Sequence, residues 1–256
     1  MQKKNLIYDG TFDGFLSAVF YVFEHKIGDV SIRNGFDVQE TMFSENETIM
    51  SEEAKANRVW KGLKSKLSAQ GSYHIYYAFL SEKPGVENVL LDYIRYAFEN
   101  TNADKDYSHP SVLKIAQIAK MVGREKHRME AFVRFRLTKD GIYFASIEPD
   151  FNVLPIILKH FKRRYADQKW VIYDIKRHYG LFYDLDTVDI INMDFPANFD
   201  FTKTNSDYFA DQEFEFQKLW KDYFKATNIK SRKNMKLHVR HVPKRYWKYL
   251  SEKQPD

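Results

Sequence analysis

The 256-residue sequence contains no cysteine. That excludes a disulfide, a thiolate zinc site and a cysteine-held iron–sulfur cluster within this chain, and it fits a reducing compartment. Long apolar runs are also missing. Met1–Asn5 leads through Leu6, Ile7 and Tyr8 straight to Asp9, and no stretch reaches signal-peptide or membrane-spanning length. A cytoplasmic protein without a membrane partner is the expectation. Acidic residues are absent between Lys230 and Lys248, a stretch that holds eight Lys and Arg. The formal net charge is +5, so the first 229 residues sum to about −2 and the positive excess sits in one short arm. Such asymmetry points to a polyanion, with nucleic acid ahead of anionic lipid. There is no P-loop, dinucleotide fingerprint, zinc-ligand spacing, nucleophile elbow or internal repeat.

Aromatic residues make up 16% of the chain and hydrophobic residues 44%, enough for a sizeable core. Leu6-Ile7-Tyr8 reads as a short strand, turned by Asp9-Gly10-Thr11 into a helix over about 13–26 whose apolar stripe runs from Phe12 to Phe23. Ser51 with Glu52 and Glu53 predicts a helix start, with Val59, Trp60, Leu63 and Leu67 inward and Gly71 as terminator. Further helices are predicted over 73–82, over 86–99 after Pro84-Gly85, and from Pro110 onward, with a polar linker over 100–108.

The period then changes. Ala131, Val133, Phe135 and Leu137 alternate with Phe132, Arg134 and Arg136, predicting a strand that turns at Asp140-Gly141 into a second over 142–147. Asn152 can cap a helix bearing Leu154, Ile157, Leu158 and Phe161. Strands over 170–178 and 181–193 follow, then an irregular aromatic loop over 194–211, a helix over 214–227 and the basic arm. The expected fold class is α+β. It comprises a mostly helical N-terminal part (1–105), a small antiparallel β-β-α-β-β sheet unit (106–196), and a C-terminal helix with a basic arm (197–256), as separate parts or one integrated domain.

Five features could carry chemistry. In the arm, Arg232, Lys233, Lys236, His238, Arg240, Lys244 and Arg245 suit phosphate contacts, and Tyr246 and Trp247 suit stacking on bases. The alternative is a tail whose rings pack on the domain, or one that docks an acidic protein. Arg134 and Arg136 share a strand face with Phe132, a basic–aromatic platform if that face is open; the helices of the N-terminal part are the expected cover. The run from Arg124 to Glu130 contains Arg128, a further phosphate contact, and His127 with Glu130, either a solvated salt-bridge set or a proton-transfer pair. Pro149-Asp150 and Asp174-Ile175-Lys176 match a loose nuclease pattern, in which two carboxylates hold Mg²⁺ and the lysine steadies water or phosphate. Asp150 could equally belong to a helix start. The turn Asp9–Gly14 opens a helix, but its flanking acids would repel phosphate, so it reads as structural.

Several strings together carry a family resemblance: Tyr8-Asp9-Gly10-Thr11-Phe12-Asp13-Gly14-Phe15-Leu16, His127-Arg128-Met129-Glu130-Ala131-Phe132-Val133-Arg134-Phe135, Pro149-Asp150-Phe151-Asn152-Val153-Leu154-Pro155, Tyr165-Ala166-Asp167-Gln168-Lys169-Trp170 and Pro243-Lys244-Arg245-Tyr246-Trp247. The chain resembles the bacterial "probable DNA metabolism protein" family, whose core is a domain of unknown function also fused to UdgX-type uracil-DNA-glycosylase-like proteins. The resemblance is densest from Glu82 to Leu250. It implies a DNA-binding accessory protein that works with a radical-SAM DNA repair or modification partner, which would supply the radical chemistry. It carries over no catalytic residues and no resident cofactor or metal; Mg²⁺ enters only with a nuclease reading. Met235 stands where that family more often has proline.

Overall fold

The computed structural model describes residues 4–35, 45–227 and 234–253. The chain forms two compact units, Met1–Gly123 and Arg124–Asp256. The fold is α+β.

In the first unit, strands β1 (Lys4–Tyr8), β2 (Val30–Asn34) and β3 (Glu45–Thr48) form a parallel sheet in the order β2-β1-β3. Helix α1 (Phe12–Glu24) links β1 to β2, the kind of crossover that parallel pairing requires. Thr11 caps α1, its hydroxyl accepting from the Gly14 N–H at 2.9 Å. Asp9 holds this turn, accepting from the Thr11 N–H (3.0 Å) and hydroxyl (2.7 Å) and from the Ser51 hydroxyl (2.7 Å). Ser51 is therefore a partner of Asp9, not a helix cap. Helices α2 (Glu53–Lys66), α3 (Ala69–Phe79) and α4 (Val86–Glu99) follow. Leu6, Phe15, Ile32, Leu63, Ile75 and Leu90 meet in one fully buried core. Gly71 lies in the first turn of α3 instead of ending α2, and the position takes glycine because a Cβ there would sit 2.7 Å from the Cβ of Asp104. The expected linker over 100–108 includes a 3-10 turn, Ala103–Lys105, with Ala103 and Asp104 buried.

Helix α5 spans Pro110–Phe132. Helical pairing carries on through Glu130–Phe132, so the expected strand shrinks to β4 (Arg136–Leu137). The alternation of apolar residues at 131–137 was outweighed by an unbroken helix reaching its own C-terminus. Strands β5 (Tyr143–Ile147), β6 (Trp170–Asp174), β7 (Tyr179–Tyr183) and β8 (Val188–Ile191) complete a five-stranded sheet in chain order. It is mixed, not wholly antiparallel: helix α6 (Leu154–Arg164) returns the chain so that β6 pairs parallel to β5, while tight turns make the other pairs antiparallel. Gly141, at φ +75°, makes the β4–β5 turn. The expected strand 181–193 is instead β7 and β8 around a turn in which Asp184 Oδ1 accepts from the Asp186 and Thr187 N–H groups, both at 2.8 Å.

Both faces of this sheet are covered. On one, Phe161 of α6 packs with Trp170 and Phe135. On the other, Phe195, Phe201 and Phe209 from the irregular loop pack on Phe144 and Tyr173. That loop supplies a cover for the second face. The loop also shields β4, with Lys139 N–H donating to Tyr208 O and Ala210 N–H to Leu137 O, each at 3.0 Å. Helix α7 (Asp211–Thr227), α8 (Met235–His241) and 3-10 turns over Lys244–Tyr249 and Ser251–Lys253 follow.

Candidate nucleic-acid interface

The turn Lys244–Tyr249 is where the C-terminal segment meets the sheet's end. Tyr246 is 2% exposed, and its hydroxyl donates to Glu125 Oε1. Glu125, 1% exposed on α5, also accepts from the Asp150 N–H (2.9 Å) and from Arg128 Nη1 (3.2 Å). Arg245 Nη2 reaches Asp150 Oδ2 (2.5 Å), the Tyr246 hydroxyl oxygen (2.6 Å) and Glu125 Oε2 (3.5 Å). Burial, reinforced by Glu125, raises the Tyr246 pKa well above the ordinary phenol value, so the ring stays a neutral donor. Next along the turn, Lys248 Nζ and the Tyr249 hydroxyl both donate to Glu148 Oε2, at 2.6 and 2.7 Å. Hydrogen bonds from Lys248 and Tyr249 hold the Glu148 carboxyl below its usual range.

Around this turn lies an open cleft of about 510 Å³ lined by Lys176, Lys244, Arg245 and Lys248 with Glu148, Pro149 and Asp150. Four cations face two acids, and the acids are engaged by Arg245 and Lys248. Lys176 and Lys244 are exposed and form no ion pair among the described residues. A surface with uncompensated positive charge at an open cleft suits an oligoanion. Tyr249 lines a second cavity, about 460 Å³, walled by rings that include Phe135, Tyr165, Phe216 and Trp220.

The family profile described as a domain of unknown function, DUF4130, matches residues 84–252. The chain belongs to the DUF4130 family. No curated protein matches it. Among solved structures, a pGpG-specific phosphodiesterase, PggH, from Vibrio cholerae is similar at 11% identity and a TM-score of 0.39, over 70% of this chain and 81% of that one.

Within this DUF4130 chain the expected arm residues part company. Arg232 and Lys233 lie outside the described residues. Lys236, Arg240 and Lys244 are exposed. His238 is half-buried, with its ring centroid 5.9 Å from that of Trp247. Trp247 is half-buried too, its indole N–H donating to Val242 O at 3.0 Å. Tyr246 is sealed inside and has no free ring face to stack on a base. Arg245, Arg128 and Arg134 are held by the protein's own acids, the last by Glu252 at 2.9 Å. The expected open basic strip thus reduces to the cations around the cleft and on α8. Arg136 is buried: Nη1 donates to Lys203 O (2.6 Å) and Nη2 to Phe201 O (2.9 Å), and burial brings its pKa down to about 10.

Of the two carboxylates in the nuclease pattern, Asp150 is engaged by Arg245 and Asp174 by its own turn. Asp174 is fully buried, with Oδ1 accepting from the Lys176 and Arg177 N–H groups (2.9 and 3.2 Å) and Oδ2 from Arg177 Nη1 (2.8 Å). Burial raises its pKa, opposed by Arg177. Such a carboxylate shapes its own turn and is spent there. Among the described residues no group of three His, Asp or Glu is placed to hold a metal ion. Asn152 does not cap α6; it accepts from the Tyr179 hydroxyl at 2.5 Å. His127 is exposed, and Glu130 pairs instead with Lys126 and lies 3.8 Å from His160. Glu125, Glu148 and Tyr249, which organise the site, were not among the expected site residues. Their contacts span 100 to 121 residues of sequence, so no local signal marked them.

Proposed function

We propose that this chain is a nucleic-acid-binding accessory protein of DNA repair or modification, acting beside a radical-SAM partner. The observation that carries the reading is the cleft in which Lys176, Lys244, Arg245 and Lys248 converge on only two acids. Phosphates would meet Lys176 and Lys244 first, since neither has to leave a carboxylate. The arrangement needs no cofactor of the chain's own. The resemblance to DNA-metabolism proteins supplies the partner and the process; the cleft supplies the polyanion.

Each phosphate neutralised by the protein releases counterions, so log K should fall with log salt by about 0.9 per contact on duplex DNA and about 0.7 on single strands. Lys176→Glu with Lys244→Glu should weaken DNA binding at least tenfold at low salt and flatten the salt slope by about the share of two contacts. Both side chains are exposed, so the fold should be unchanged by circular dichroism. Undiminished affinity with an unchanged slope would remove the reading.

A protein–protein adaptor is the second reading, and helix α7 favours it. Leu219, Tyr223 and Phe216 on α7 are 64%, 61% and 55% exposed. Adjacent large apolar side chains left in water mark interaction surfaces more often than chance exposure does. Under this reading the purified radical-SAM partner would bind in the presence of nuclease, and Leu219→Asp would abolish that binding without touching DNA affinity.

A further inference from the structure

We propose that the ring-walled cavity beside the cationic cleft binds one unstacked nucleobase of a strand whose phosphates lie in that cleft. This rests on the nucleic-acid reading above and deepens it. Three observations converge on it.

The first is the wall. Phe135 and Tyr165 meet edge to face at 5.1 Å on the sheet side, and α7 contributes Phe216 and Trp220, which are 55% and 40% exposed. Flat apolar rings on more than one side, left partly wet, suit a planar ligand that every base can supply. The volume of about 460 Å³ lies within the range of about 300–1,000 Å³ typical of small-ligand sites.

The second is the polar edge. Gln217 Nε2 donates to Thr204 Oγ1 at 2.6 Å and to Glu213 Oε1 at 2.8 Å. Glu213 is itself buried and fixed by the Leu137 N–H at 2.8 Å. With both amide hydrogens spent, Gln217 is a locked acceptor whose carbonyl oxygen is left over. The Gln168 amide and the Tyr143 and Ser251 hydroxyls also line the cavity, with no partner among the described residues. Spare donors and acceptors around an apolar slot are what reading a base edge takes.

The third is continuity. The turn Lys244–Tyr249 lines both cavities: Lys244, Arg245 and Lys248 face the cleft, and Tyr249 lines the ring-walled pocket. Lys248 and Tyr249 are tied to the same oxygen of Glu148. A phosphate at the cleft and a base in the pocket are therefore held by one short turn.

The test uses the full chain and two short single strands, one with a single 2-aminopurine among abasic positions and one wholly abasic. The base-bearing strand should bind at least tenfold more tightly, with 2-aminopurine fluorescence quenched on binding. Phe216→Ala with Trp220→Leu should equalise the two strands while leaving the salt slope as in the wild type. Equal binding of both strands by the wild type, with Lys176→Glu/Lys244→Glu still weakening both, would overturn the base pocket and leave the nucleic-acid reading standing. If neither strand binds, the nucleic-acid reading fails on its own, and titration with 2-aminopurine nucleoside monophosphate decides the pocket. Quenching that Phe216→Ala/Trp220→Leu abolishes would support a nucleotide site; no response would overturn it.

Discussion

The side chain that most changes the picture is Tyr246. Beside Lys244, Arg245 and Trp247 it reads as a stacking ring, yet its hydroxyl is buried on Glu125, 121 residues away in sequence. Charge asymmetry was legible because it is a local sum. The acids that meet it were not, because no local rule pairs residues that far apart. The burial has a consequence for stability. Tyr246→Phe keeps the ring's packing but removes a donor from a carboxylate that is 1% exposed. Leaving a buried group short of a partner costs about 1–3 kcal/mol, so the midpoint of denaturant unfolding should fall by a corresponding amount. DNA affinity at temperatures where the variant is folded should be unchanged. A loss of affinity with no loss of stability would instead make Tyr246 a contact residue. Asp174 illustrates the same point in a catalytic setting, since spacing alone matched it to Lys176, whereas the fold closes both its oxygens on its own turn and on Arg177.

At the scale of elements, helices with a clean apolar stripe and a glycine or proline at their start were readable to the residue. Helix α4 begins after Gly85 at φ +76° and ends at Glu99 as its spacing requires. Where two periods fit one stretch, sequence could not arbitrate, and α5 extended over residues that also alternate like a strand. The 3-10 turn over Lys244–Tyr249 had no periodic signal at all, because its shape is set by tertiary partners, with Glu148 at its end and Glu125 at its middle. Its attachment should depend on pH. The Glu148 carboxyl titrates below its unfolded value because Lys248 and Tyr249 donate to the ionised form. Its contribution is therefore complete above the ordinary carboxylate range and is lost as pH falls through the depressed folded value. Trp247, two positions before Tyr249, should report this as a fluorescence change on acid titration. In Glu148→Gln that transition should disappear, with the turn already loosened at neutral pH; a transition identical in both proteins would mean that other carboxyls control it.

On the scale of the whole chain, the family match starts at residue 84, so β1 through α3 precede it, while the cationic cleft and the ring-walled pocket fall inside it. Asp9 belongs to the earlier part and ends the central strand of a parallel sheet, a position where many α/β proteins place a functional carboxylate. Here its oxygens are engaged by Thr11 and Ser51, and the residue opposite, Gly14, is the one that leaves room for it. These bonds overcome the burial that would otherwise raise its pKa and hold the carboxyl below its usual range. The arrangement is that of a brace for the start of α1. Asp9→Ala should then lower the stability of the chain by less than the ~1 kcal/mol typical of losing a capping residue itself, because Asp9 is exposed and Thr11 keeps its own bond to the Gly14 N–H, while leaving DNA affinity and its salt slope as they were. A variant that unfolds no more easily but loses binding would move the centre of function from the lysine-lined cleft to the end of the parallel sheet.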